Sequence, residues 1–471
     1  MRGFCVIIGD GRRGRMSENK RMVEFDRLEK KFQSLIEKKA IKEAHTLLQL
    51  LNEIDVADLI GELDPKTALI LFRMLPKDEA AEVFAHFDSD MQEAIISAST
   101  DAEIKDIVEE LYMDDFVDMV EEMPSNVVNR ILANANAEDR NIINQLLKYP
   151  EDSAGSIMTI EYVSLKKEMN VREALLKIKR EGIDKETIYT LYVTDDFRRL
   201  EGIISLRELI TSSYDSKIED IMEGDVIYAH THDDREEVAS IIKKYGFEAL
   251  PIVDNEKRIV GIVTVDDILD VIEEETTEDF QVMAGTTPNE MPYLETSSFE
   301  LARHRLPWLL FLMISSTVTQ KIMNHYESYL SMIPFLTGFI PMLMDTGGNS
   351  GSQSSTLIIR GMAVGDIKPK DWLKVLWKEL RVAVICGVVL AVFNYFKIIY
   401  IDHAPANVAL TVSLTLVISV GAAKLVGGLL PMLASSLKLD PAIMASPLIT
   451  TIADAMSLIS YFFFARNIIL S

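Results

Sequence analysis

The sequence predicts a multidomain chain: an all-α superhelical N-terminal domain, an α/β module of two internal repeats, a long connecting helix, and an α-helical membrane domain with five spans. Three observations predict it. Residues 24–150 carry an internal period of 12 residues. Residues 151–275 hold two matching copies of one helix–strand–strand–helix pattern. From residue 305 onward come five stretches, each long enough to cross about 30 Å of hydrocarbon. At 471 residues the chain exceeds one ordinary domain. Its net charge of −25 hides two unlike parts, with −30 on residues 1–300 and +5 on the rest. An acidic part of that size repels phosphates and argues against nucleic acid. It suits a cationic partner. The two cysteines, Cys5 and Cys386, form neither a metal spacing nor a disulfide framework. A reducing cytosol is expected for the acidic part.

The first residues carry a decoy. Gly9, Gly11 and Gly14 spell G-x-G-x-x-G after the short apolar run FCVII. A dinucleotide site needs a strand before those glycines and a strand–helix–strand unit around them. A charged helical stretch, MSENKRMVEFDRLEKKFQ, follows instead. FCVII is also too short for the core of a secretory signal. Residues 1–23 are expected to be a disordered tip, with Met16 a second candidate start.

In residues 24–150 the marks are Leu63, Leu75, Phe87, Ser99, Leu111, Met123, Ala135 and Leu147. Pro65, Pro76 and Pro124 follow them closely, where a first helical turn tolerates proline. Ser89, Asp101 and Ser125 are expected N-caps. Each unit is one short helix that cannot bury its own apolar face, so the units are expected to stack into a superhelix. The acidic faces are expected outside: Asp88 and Asp90, Glu109 and Glu110, Asp114, Asp115 and Asp118, Glu121 and Glu122.

In residues 151–275, NVREALLKIKREG (170–182) matches DREEVASIIKKYG (234–246) at an offset of 64. LYVTDDFRRLEGIIS (191–205) matches LPIVDNEKRIVGIVT (250–264) at an offset of 59, so the first copy holds a five-residue insertion, IDKET. Each copy reads as a helix, two β-branched strands about a polar turn, and a second helix. GIIS followed by LRE, and GIVT followed by VDD, resemble the signature of CBS domains, a family that pairs two copies into one module.

A long helix is expected over residues 264–284, carrying Asp266, Asp267, Asp270, Glu273, Glu274, Glu275, Glu278 and Asp279. Like charges at such spacing oppose one another. A solvated face is one reading; a cation-sensing linker is the other, since the helix leads through residues 276–304 towards the membrane.

The five spans are expected near 306–325, 330–359, 379–401, 408–436 and 442–468. Arg303, Arg305, Arg360, Lys368, Lys370, Lys374, Lys378, Arg381 and Lys438 cluster at one set of ends. The positive-inside rule therefore puts the N-terminal domains in the cytosol and the C-terminus outside. Asp454 lies within the last span. A charge at that depth costs about 2.5 kcal/mol or more and marks a pathway by default; pairing with Lys424 is the alternative. Ser446, Thr450 and Asp454 are spaced by four and share one helix face. In the second span, Pro334, Gly338, Pro341, Gly347, Gly348 and Gly351 are expected to interrupt the helix beside the polar residues Asp345, Asn349, Ser350, Ser352 and Gln353. Broken backbone suits a water-lined space, while glycines also serve close packing alone.

With PMLMDTGGNSGSQSSTLIIRG and PLITTIADAMSLISYF added to the acidic helical domain, the repeat pair and the connecting helix, the chain resembles the MgtE family of magnesium channels over about residues 24–470. The resemblance implies a homodimer in the bacterial inner membrane with one pore between subunits, permeant Mg2+, and some other divalents admitted. It implies that Asp454 is the pore carboxylate, given once by each subunit, and that Asn349, Gly347 and Gly348 belong to the pore-lining stretch. Ser446 and Ser352 stand where some relatives carry Asn, and Asp345 is an acid that not every relative has. It further implies closure by cytosolic Mg2+ on Asp267, Asp270, Glu274, Glu275 and Glu278, with Asp88, Asp90 and Asp118. ATP on the CBS pair is implied for some members, at Arg207 and Glu208 and, in the second copy, Asp266 and Asp267. A CBS pair that serves only as a dimer interface and Mg2+ sensor is the alternative.

Other function classes remain in view. A secondary transporter exchanging a divalent cation for H+ or Na+ also suits discontinuous spans with a midplane acid. A receptor would bind ligand and move no ion. The chain holds no H-E-x-x-H, G-x-S-x-G or P-loop motif, so no enzyme is expected.

Overall fold

The structure, a computed structural model, describes residues 18–289, 291, 293–294, 296–327, 334–444 and 446–469. It divides into two compact units, Met1–Ile272 and Glu273–Ser471.

The first unit opens with ten helices: α1 Glu18–Glu37, α2 Ile41–Leu48, α3 Glu53–Gly61, α4 Pro65–Phe72, α5 Lys77–Ala85, α6 Ser89–Ala98, α7 Asp101–Glu110, α8 Met113–Glu122, α9 Ser125–Asn134 and α10 Ala137–Leu146. From α3 to α10 every start falls 12 residues after the last, so the sequence period is the spacing of helix starts. The expected N-caps lie one residue too late. Asp88 caps α6 by accepting from the Met91 N–H at 2.7 Å. Thr100 caps α7 in a capping box with Glu103, and Pro124 precedes α9. Ser89, Asp101 and Ser125 are first helical residues instead, because the capping side chain must come from outside the helical backbone. Likewise α1 begins at Glu18, within the segment expected to be disordered; residues 1–17 of that segment lie outside the described set.

Each helix packs on the one two further along: α3 on α5, α5 on α7 and α7 on α9, with α4, α6, α8 and α10 in the same relation. Ile60, Leu71, Phe84, Ile96, Ile104, Phe116 and Ile131 are buried in one continuous core. That core extends into the second CBS repeat through Val238, Leu250, Ile252, Val263 and Ile268. Arg130 of α9 ties the layers by donating to the carbonyls of Ile96 at 2.9 Å and Ser99 at 2.6 Å, where α6 leaves its last carbonyls without helical partners.

The repeats fold alike. β1 Ser164–Leu165, α11 Val171–Glu181, β2 Thr190–Thr194, β3 Leu200–Ser205 and α12 Leu206–Thr211 form the first; α13 Ile218–Ile221 follows. β4 Ala229–His230, α14 Arg235–Tyr245, β5 Ala249–Val253, β6 Ile259–Thr264 and α15 Val265–Met283 form the second. Both sheets run in sequence order, one parallel pair then one antiparallel pair. The register slips at the same place in each, between Val193 and Thr194 and between Ile252 and Val253. The hairpin turns join the copies: Leu200 N–H donates to the Lys257 carbonyl at 2.9 Å, and Ile259 N–H to that of Arg198 at 3.0 Å. The insertion IDKET lies between α11 and β2.

The second unit holds α16 Ser298–His325, α17 Ile340–Ala363, α18 Trp372–Tyr400, α19 Ala406–Ser436 and α20 Ser446–Ile468. Four of these five, all but α17, lie in segments long and apolar enough to cross a membrane. The 24 residues of α17 suffice in length, but the stretch from Asp345 to Gln353 is too polar for that count; residues 328–333, where its span was expected to begin, lie outside the described set. The expected interruption is also absent from α17. Its helix runs unbroken through Gly347, Gly348 and Gly351, and only Pro334–Phe339 forms a separate 3-10 turn. The glycines instead admit neighbours. A Cβ on Gly347 would meet the hydroxyls of Ser419 and Ser457, one on Gly348 would meet Thr450, and one on Gly427 would clash with the Gly351 carbonyl oxygen. α19 packs against α17, α18 and α20, and α16 against α20.

Candidate cation sites

Three groups of acids stand out, the first within the membrane unit. Asp345 and Asn349 lie one turn apart on α17, and the Asn349 amide donates to the Asp345 carboxylate at 3.1 Å. Pro341, Asp345, Asn349 and Gln353 recur every fourth residue and are all exposed, while Leu343, Gly347, Gly348, Ser350, Gly351 and Ser354 on the other side are buried. Asp454 of α20 is half-buried, and Asp345 is the carboxylate whose charge acts on it. Lys424 is not its partner: that ammonium donates to the Ser350 carbonyl and the Ser354 hydroxyl. The structure thus brings Asp345, Asn349 and Asp454 together. Thr450 turns to Gly348 and donates its hydroxyl to the Pro447 carbonyl at 2.8 Å. Gly347 and Gly348 sit within the helix packing. Ser446 opens α20, and its side chain lies outside the described set.

The second group lies at the end of α15. Asp279 is pushed up from the ordinary carboxylate range by burial, then by the charges of Asp440 and Glu275, with Arg360 acting against them. Asp440 precedes α20; in the sequence it stands alone in a short loop and belongs to no pattern. Glu274 and Glu278 are exposed on the same helix and Glu275 is half-buried.

The third group lies where the helical domain meets the repeats. Asp114 and Asp115 of α8 face Asp267 of α15 and Glu186 of the insertion. Asp114 is buried and held well above the usual range by burial and by Asp267. Burial, then Asp267 and Glu82, push Asp115 up to about 7. Burial and the charges of Asp267 and Asp266 push Glu186 up to about 8. Its Oε2 is buried with no hydrogen-bond partner among the described residues. Asp267 is pushed up to about 6 by burial, although its carboxylate accepts from the Thr264 hydroxyl and N–H.

Asp114 and Asp115 correct the expectation of a solvated acidic face. They open a helix whose first turn packs inward. Asp88, Asp90 and Asp118 are exposed, and the Asp88 carboxylate is occupied as an N-cap. Asp270 is exposed, yet close enough for its charge to act on Asp267. Glu186 was visible in the sequence only as part of an insertion. Among the described residues no three His, Cys, Asp or Glu converge closely enough to cage a bare ion.

Arg207 is exposed in the first turn of α12. Glu208 closes a capping box, its Oε2 accepting from the Ser205 N–H at 3.2 Å and hydroxyl at 3.0 Å. Asp267 does the same for Thr264, 59 residues on.

A helical repeat domain, a CBS pair and a bundle of apolar helices together fit a membrane transporter with a soluble domain. Family models match in the same order: the MgtE intracellular N domain over residues 51–152, the CBS domain over 154–215 and 218–274, and MgtE, a divalent cation transporter, over 340–464. The magnesium transporter MgtE of Thermus thermophilus is 36% identical over 435 residues, 91% of this chain and 96% of that protein. The magnesium transporter MgtE of Bacillus subtilis is 30% identical over 423 residues, 90% and 93% of the two chains. The crystal structure of the soluble part of a magnesium transporter matches with a TM-score of 0.50 at 32% identity, covering 53% of this chain and 99% of that one. The chain belongs to the MgtE family.

Proposed function

We propose that this chain is a Mg2+-selective channel. It imports Mg2+ into the cytosol and is closed when cytosolic Mg2+ occupies its acidic surfaces. The observation that carries the reading is the exposed polar side of α17, where Asp345 and Asn349 stand beside Asp454. Lipid does not accommodate such a face. Water and a second copy of the chain do, so the path runs between two subunits of a homodimer. Each subunit contributes Asp345, Asn349 and Asp454. Mg2+ gives up its waters reluctantly, so acids and amides that meet the hydrated ion serve it better than a tight cage. The absence of a tight cage among the described residues is in keeping with that.

The same logic extends to closure. Asp114, Asp115, Glu186 and Asp267 repel one another when ionised, and so do Asp279, Asp440 and Glu275. A hydrated dication between them removes the repulsion and holds the connecting helix in place. Asp270, Glu274 and Glu278 add negative charge along the same helix. Basic residues at one set of helix ends support a reading with the acidic domains in the cytosol and the C-terminus outside, in a bacterial inner membrane. An adenine nucleotide on the CBS pair belongs to the proposal through Arg207, whose guanidinium is exposed to a phosphate; Glu208 has only Oε1 left for a ribose.

The test is Mg2+ uptake into vesicles holding the purified protein, with wild type and Asp454→Asn. Uptake that needs no counter-ion gradient, falls as Mg2+ rises on the cytosolic side, and is lost in the variant supports the reading. Full uptake in Asp454→Asn sinks it, and strict dependence on H+ or Na+ replaces the channel with a carrier.

A further inference from the structure

On the buried side of α17, opposite Asp345 and Asn349, lies a second set of charges. Lys424 of α19 is 5% exposed. Its ammonium donates to the Ser350 carbonyl and to the Ser354 hydroxyl, both at 3.4 Å. Ser354 is 2% exposed and donates in turn to the Glu379 carboxylate of α18 at 2.6 Å. Three helices therefore meet at one chain of polar contacts: α19 through Lys424, α17 through Ser354, α18 through Glu379. Gly428 makes room for it, since a Cβ there would meet Glu379 Cγ at 3.0 Å.

A buried lysine is an odd neighbour for a cation path. Ser350 adjoins Asn349, so the ammonium acts across one helix diameter on any cation along the exposed side. In a low-dielectric interior that field is weakly screened. We propose that Lys424, Ser354 and Glu379 form an internal counter-charge unit. Lys424 and Ser354 fix α17 between its neighbours, and Glu379 offsets the lysine charge so that a dication is not repelled from Asp345 and Asn349. Lys424, Ser354 and Glu379 are positioning residues; none is required to touch the ion. The proposal rests on the cation path along α17 argued above.

The experiment uses the full-length protein in phosphatidylethanolamine and phosphatidylglycerol vesicles, with Mg2+ uptake and melting temperature measured in parallel. Glu379→Gln leaves Lys424 unopposed, and is expected to lower maximal uptake about tenfold and to raise the half-saturating Mg2+ concentration. Lys424→Met leaves the carboxylate unopposed and lowers the half-saturating concentration by about threefold. The double variant returns both values to within about twofold of wild type, because no net charge is left. Ser354→Ala keeps both charges and cuts the bridge, so it lowers maximal uptake without moving half-saturation. Single variants that match wild type, or a double variant no better than the worse single, overturn the unit. Should the singles fail to fold, unchanged uptake in Ser354→Ala overturns it. Absent uptake in wild type, or full uptake in Asp454→Asn, defeats the cation path instead. The unit then stands or falls on melting temperatures, depressed in each single and restored in the double.

Discussion

Single residues set the packing of the membrane unit, and glycines show it best. Gly427 and Gly351 let α19 and α17 touch backbone to backbone, whereas Gly421 has open space where its side chain would be. Gly427→Ala forces a Cβ against a carbonyl oxygen and is expected to destabilise the bundle by about 1–3 kcal/mol. Gly421→Ala is expected to be neutral or slightly stabilising, because it removes unfolded-state freedom without a clash. Thermal unfolding of both variants in detergent checks the contrast; equal melting temperatures would contradict it. In the soluble unit Thr100 both caps α7 and receives the Glu103 carboxylate. Thr100→Ala should cost about 1 kcal/mol in a denaturant titration.

At the scale of elements, the junction of α8, the insertion and α15 is a set of acids that burial and one another's charges hold above the ordinary carboxylate range. The folded-state values of about 6 for Asp267, 7 for Asp115 and 8 for Glu186 all lie above the ordinary 3.8 and 4.5. A carboxyl raised on folding contributes stability that is fully present below its unfolded value and lost as pH rises through its folded value. Metal-free protein is therefore expected to hold this junction most firmly near pH 4 and to loosen it progressively up to about pH 8. Mg2+ should reverse the loss at the alkaline end while releasing protons. Hydrogen exchange on α8 and the start of α15, from pH 5 to pH 8 with and without Mg2+, reads this directly. Protection that does not change with pH would refute it.

Much of this scale was legible in sequence. Seven of the eight 12-residue marks lie two residues before a helix start, and six of those seven are apolar side chains that are buried or half-buried. The CBS repeats were legible because alternating β-branched strands and an identical turn recur in both. Corners and periods are local. The acid groups are not: Asp114 and Glu186 are 72 residues apart in the chain, and only the stacking of α8 against the repeats joins them. Asp440 was silent for the same reason. The glycines of α17 were legible as glycines, but a period cannot say whether a glycine breaks a helix or admits a neighbour.

For the whole molecule the proposed closure by Mg2+ carries its own test in the soluble unit. The expected outcome for Glu186→Gln is a shift of Mg2+ closure to a different Mg2+ concentration with the maximal conductance unchanged, since Glu186 lies far in sequence from every membrane helix. Recordings across a range of cytosolic Mg2+ would show it, and an altered maximal conductance with unmoved closure would count against the assignment.

α15 belongs to both units, because the boundary between them falls after Ile272, within the helix. The helix thus carries Asp267 before that boundary and Asp279 after it. The two are 12 positions apart, about 18 Å along the axis at 1.5 Å per residue. Any rod of that length that turns by about 5° about one end moves the other by about 1.6 Å, on the order of half a hydrogen bond's length.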